Sequence, residues 1–291
     1  MWAMAFRIVA GQISAQVTDA LPAIAARPVW DQFEDSVDCF SFLRQPLLHC
    51  SQKHLVNSRE ASALLVTPLF RSLGHSATSP QTTAGARLQG FRWLLNSAGK
   101  ESNWLWKWKF RTSDRHVRFD PDKYGWPWFP DTVSWVVPTA FSILALNQIP
   151  CSCDGLENVA ARIECGIQML FDRVCPGGGW NAGNGVVYGT VVAPHADDTA
   201  IALLVLRDRT KEPIVRGSVD YLERVAATLT APWSLAWAIL ALAAHRRPIA
   251  SLCTSLAALP DFLSIEDTST LALACLALDY RCGLSAFGVI V

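Results

Sequence analysis

The sequence has no excess of charge of either sign: 25 Lys and Arg balance 25 Asp and Glu over 291 residues. A basic surplus that would answer the phosphates of nucleic acid is therefore missing, and so is one that would answer an anionic membrane. Long hydrophobic runs are also missing. Mean hydropathy is high at +0.22, yet no window of about 18 residues is both uncharged and continuously apolar, so no membrane-spanning helix is expected. The longest candidate, Pro232 to Ala244, ends at His245-Arg246-Arg247. The first residues, MWAMAFRIVAGQ, lack a basic lead and carry Arg7 inside their apolar part, which does not fit a secretory signal. Nine cysteines do not pair evenly, and Cys165, Cys253 and Cys275 fall within helical patterns. Reduced thiols in a cytoplasmic protein fit this better than a disulfide framework. Cys151-Ser-Cys153 has no second Cys/His pair at ligand spacing, so no metal is expected.

What is present is apolar and repetitive. Hydrophobic residues make up 51% of the chain, enough for a large buried core. Four segments align: Pro138-TAFSILAL, Asp198-TAIALLVL, Ser234-LAWAILAL and Thr270-LALACLAL, each with Leu at its seventh and ninth positions. Their starts lie 60, 36 and 36 residues apart. Being apolar nearly all round, they read as buried helices. Segments 155–175, 213–229 and 247–259 alternate with them and carry apolar residues at steps of three and four, as half-exposed helices do. Residues 83–98 read as a further outer helix and 58–74 as an inner one. Residues 1–57 show no period, which separates an irregular N-terminal segment from a helical-repeat domain over 58–291.

Eight of the twelve tryptophans lie between 93 and 180. In WLWKWKF, Trp104, Trp106 and Trp108 alternate with Leu105, Lys107 and Lys109, a period of two that predicts a strand. With Arg115 to Phe119 as the return, a small β-hairpin over 104–119 is expected. Lys107, Lys109, Arg111, Arg115 and Arg118 would then form a basic, solvated face. Trp126, Trp128, Trp135, Trp180, Tyr188 and Trp237 are candidates for an aromatic site that holds an apolar ligand or steadies positive charge, or else they plug seams between repeats.

In CPGGGWNAGNGVVYG, residues 175–189, Gly177 to Gly179 terminate a helix where positive φ is needed. No GK[ST] follows, so this is a corner and not a phosphate cradle. Next comes PHADDTAIALLVL, with Asp197 and Asp198 at the start of an apolar helix. Adjacent carboxylates there serve either as helix caps or as acid/base groups. Asp131-Thr132 and Asp267-Thr268 stand near other inner-helix starts, as a capping device would.

A helix, a GGGW corner and an acidic start to a buried helix resemble the repeat of the prenyltransferase and squalene-cyclase superfamily. WLWKWKF, FDPDKYGWPW, SWVVPTAF, PHADDTA and SLAWAILALAA carry the resemblance, which covers about two-thirds of the chain, Trp93 to Leu278. It implies an all-α (α/α) toroid of helix pairs, complete or open, acting on or binding an apolar isoprenoid or lipid without a cofactor. A protein partner is the alternative occupant. The triterpene cyclases of this superfamily carry DxDDTA, whose middle Asp protonates the substrate. Mapped here, Asp197 takes that position, Asp198 its neighbour's, and His195 replaces the first Asp.

Overall fold

A computed structural model describes residues 91–113, 118–147 and 158–258, together with 270, 273, 274 and 276–278. Residues 1–57, the inner helix expected at 58–74, the Cys151-Ser-Cys153 stretch and the Asp267-Thr268 pair lie outside the described residues. The described part is mostly helical with two small hairpins. Helix α1 runs through 91–96, followed by α2 (Trp104–Thr112), α3 (Val136–Leu146), α4 (Val159–Asp172), α5 (Ala196–Val205), α6 (Pro213–Ala226), α7 (Pro232–Ala244) and α8 (Ala250–Ala257).

The expected alternation of buried and half-exposed helices is present. Every residue of α3 is buried, as are Thr199–Val205 of α5 and Leu235–Ala243 of α7. Outer helices α4, α6 and α8 bury one stripe each: Ile167 and Leu170; Val215, Val219 and Leu222; Leu252 and Leu256. The two kinds of helix form two layers. α3 packs on α5 and α5 on α7, while α4 covers α3, α6 covers α5 and α7, and α8 covers α7. Small residues such as Ala140, Ala200, Ala236 and Ala238, all fully buried, let neighbouring inner helices approach closely. The fourth inner segment is described only at single residues, of which Leu273, Ala274 and Ala277 are buried. Pro232 takes the first position of α7, and Pro138 the third of α3, where a missing N–H leaves no intrahelical bond unmade.

WLWKWKF is not a strand. It forms α2, because the same residues also satisfy a helical period. Asn103 caps the helix by accepting from the Leu105 N–H at 2.9 Å. Trp106 and Phe110, one turn apart, stack at 5.9 Å, and Phe110 continues onto Phe119 at 5.1 Å. Lys107 and Arg111, also one turn apart, both pair with Asp122. An alternation over five residues fits either period, and packing against Phe119 and Asp122 decided for the helix. The hairpins lie elsewhere. β1 (Trp126–Pro127) pairs antiparallel with β2 (Ser134–Trp135), and β3 (Val186–Val187) with β4 (Thr190–Val191). Each hairpin lies between an outer helix and the inner helix after it.

Candidate functional site

Two corners lead into inner helices, and they are built alike. In the first, Trp126 is fully buried; its indole N–H donates to the Leu94 carbonyl of α1 at 2.8 Å. Its backbone N–H donates to the Thr139 hydroxyl, on the fourth residue of α3, at 2.9 Å. In the second, the Trp180 indole donates to the Leu170 carbonyl of α4 at 2.7 Å, and its backbone N–H to the Thr199 hydroxyl, on the fourth residue of α5, at 2.9 Å. The preceding glycines match too: the Gly125 N–H donates to the Ser134 hydroxyl and the Gly179 N–H to the Ser218 hydroxyl, both at 2.8 Å. A Gly-Trp pair thus clamps α1 to α3 and α4 to α5. Tryptophan suits the position because it fills the seam and its N–H satisfies a carbonyl at the helix end.

The clamp requires close approach at Gly179. Its φ is 79°, and a Cβ there would lie 2.8 Å from the Thr199 hydroxyl. Gly178 also has positive φ, whereas Gly177 does not. α4 has already ended at Asp172, so these glycines shape a second turn rather than cap the helix.

Two arginines brace the corners, Arg162 half-buried and Arg173 buried. The Arg162 guanidinium lies 3.4 Å over the Trp126 ring and donates to the carbonyls of Gly125 at 2.7 Å and Ser97 at 3.0 Å. Burial lowers its pKa to about 10. Arg173 is 1% exposed, lies over Phe119, and faces the fully buried Glu101 carboxylate at 3.7 Å. Burial lowers its pKa as well, and Glu101 opposes that shift. Glu101 in turn accepts from the Ser134 N–H at 3.1 Å. No sequence motif marks either arginine: each is a single cation on or just after an outer helix, where solvated charges are ordinary.

The acidic pair stands at the start of α5. His195 is the N-cap residue, and neither carboxylate makes a capping bond to a backbone N–H. Asp198 is instead bonded to the His195 Nδ1 at 2.8 Å. Its side chain is 13% exposed, and burial pushes its pKa up to about 6; the His195 hydrogen bond pulls the other way, and neighbouring Asp197 adds to the rise. The hydrogen-bonding cap expected of Asp197 and Asp198 is therefore not formed. What remains for them at the helix start is a charge–dipole interaction. Asp131, the parallel example, sits at φ 61° in the β1–β2 turn, outside any helix start. Aligned by their clamping threonines, α3 reads VVPTA where α5 reads ADDTA: Thr-Ala belongs to the repeat, and the two aspartates do not.

Beside this corner lies an apolar cleft of about 520 Å³. Phe110, Phe119, Trp135, Val187 and Val192 form its walls, with Asn181, Asn184, Arg173 and His195 as the polar edge. Asn184 is held by the Arg173 Nη1, and the Asn181 side-chain amide donates to the Asn184 carbonyl at 2.9 Å. Trp135 and His195 are thus the sequence candidates brought to the cleft. Trp126, Trp180 and Trp237 belong to the hydrophobic core, and Trp128 packs against it. Tyr188 is exposed at the tip of the β3–β4 turn, with φ 51°. Asp197 and Asp198 are near the cleft along the chain but are not among its lining residues. Among the described residues, no group of three His, Cys, Asp or Glu side chains is placed to hold a metal ion.

No family model, curated protein or solved structure matches the chain.

Proposed function

We propose that the chain is an (α/α)-toroid protein of the prenyltransferase and squalene-cyclase type that binds an apolar isoprenoid in the cleft at its second corner. The two-layer alternation of helices and the repeated Gly-Trp clamp support the toroid. The observation that carries the ligand reading is the cleft itself: about 520 Å³, walled by aromatic and branched side chains with a few polar groups at one edge. Branched five-carbon units match walls of this kind, which is why an isoprenoid is the ligand class proposed. The free thiols Cys165 and Cys175 support a reducing compartment such as the cytoplasm.

The test is to purify the full chain from a host that makes isoprenoids, extract it with organic solvent and identify what elutes by mass spectrometry. A stoichiometric isoprenoid is the expected result. An extract empty of lipid, repeated after incubation with farnesol, sinks the reading.

Acid-initiated cyclisation is a second reading, favoured by the raised pKa of Asp198. The His195 bond occupies that carboxyl, and the Brønsted position itself falls to Asp197, half-buried and off the cleft. Binding without turnover is therefore the better supported of the two. Conversion of a polyprenyl substrate by the wild type, lost in both Asp197→Asn and Asp198→Asn, would reverse that order.

A further inference from the structure

Helix α2 faces two ways. Trp106 and Phe110 turn inward, and Phe110 reaches the cleft wall. The opposite face presents Trp104, Leu105 and Trp108, exposed by 74%, 53% and 62%. Two indoles and a leucine clustered on one short helix are an unusual load of apolar surface for water to carry.

The charges on the helix itself are of one sign. WLWKWKFRT contains no acidic residue. Lys107 and Arg111 share Asp122, which leaves one positive charge over from that group. Lys100 and Lys109 both lie over the Trp106 ring, their ammonium groups 3.6 Å and 4.6 Å from its centroid. Neither makes an ion pair among the described residues, so two ammonium groups share one indole with no carboxylate between them. Each is attracted by the ring but repelled by the other, an arrangement that an external anion would relieve.

We propose that α2 is an interfacial anchor, by which the protein rests on a bilayer containing anionic phospholipid. Trp104, Leu105 and Trp108 enter the boundary between headgroups and acyl chains, where an indole keeps its ring in apolar surroundings and its N–H near oxygen. Lys100 and Lys109 meet the headgroup phosphates. A bilayer fits this surface better than a protein partner because its rim is cationic on balance, with Asp122 answering two of four cations, and better than a nucleic acid because its centre is apolar. The nine-residue helix is far too short to cross, and no helix among the described residues is long and apolar enough to do so. The inference does not depend on what the cleft holds.

Co-sedimentation of the full chain tests it, with vesicles of phosphatidylcholine alone and of phosphatidylcholine with phosphatidylglycerol. Binding to the mixed vesicles is expected, several-fold weaker to the neutral ones. W104A/W108A should weaken binding to the mixed vesicles by roughly tenfold or more. K100Q/K109Q should lose most of the preference for anionic lipid and keep the residual affinity for neutral lipid. All four side chains lie at or near the surface, and an unchanged circular dichroism spectrum checks the fold of each variant. Failure to pellet with mixed vesicles overturns the proposal, as does pelleting that W104A/W108A leaves intact. So does a wild-type dimer in light scattering that the same double variant converts to monomer, since a second copy would then own the face.

Discussion

Single side chains set the chemistry of this protein by burial more than by charge count. Asp198 shows it most directly. Its folded pKa of about 6 lies above the ordinary value of 3.8, so the native state holds the proton more tightly than the unfolded chain. Stability therefore falls as pH rises from 4 to 6, and the ionised carboxylate is a burden at neutral pH. Asp198→Asn keeps an oxygen for the His195 ring and removes the charge. It should raise stability at pH 7.5 by about 2 kcal/mol and change little at pH 4, read from urea unfolding at the two values. Arg162 is the opposite case. It keeps its charge because carbonyls of Ser97 and Gly125 and the Trp126 ring surround it. Arg162→Ala strips acceptors and ring of their partner together and should cost about 2–4 kcal/mol in the same measurement. Glu101→Gln leaves the buried Arg173 with Asp172 as its remaining near counter-charge, at 3.5 Å, and should cost about 3 kcal/mol.

At the level of elements, two units share the plan outer helix, Gly-Trp corner, inner helix, while the α6–α7 link, residues 227–231, has neither residue. The buried helices were legible because an all-round apolar run of that length has nowhere to lie but the interior, and α4, α6 and α8 were legible from steps of three and four. The clamp was not, because Trp126 and Thr139 stand 13 residues apart while Trp180 and Thr199 stand 19 apart, and unequal loops hide a repeat from any fixed-period comparison. Once the clamp is seen, Thr-Ala in PHADDTA has a structural duty that explains it without catalysis. Thr199→Val leaves the buried Trp180 N–H without its acceptor and should cost about 1–3 kcal/mol, with Thr199→Ser restoring most of it. Thr139→Val should behave alike if the two corners are equivalent, and guanidinium denaturation of both variants checks that equivalence. α2 was hidden for a different reason: three alternate tryptophans satisfy a strand pattern and an i, i+4 pattern at once, and Phe119 and Asp122, beyond the helix, break the tie.

Across the whole molecule, two features left unassigned by the core lie close together. The cleft collects Trp135 and His195 from the candidates and adds Phe110, Phe119 and the Arg173–Asn184 edge, which no local sequence pattern marks. Those residues come from α2, from the loop after it, from the end of α4 and from the second corner, so only packing brings them together. Most of the tryptophans that composition offered as ligand contacts are spent on seams instead. Trp135 is the exception, and its indole is the largest side chain in the cleft wall. The measurement that tests the central claim most directly is equilibrium dialysis of radiolabelled farnesol against the wild type and Trp135→Ala. One saturable site in the wild type, weakened roughly tenfold or more by a substitution that leaves the fold intact, is the predicted result. Absence of saturable uptake, or an affinity unchanged in Trp135→Ala, would contradict it.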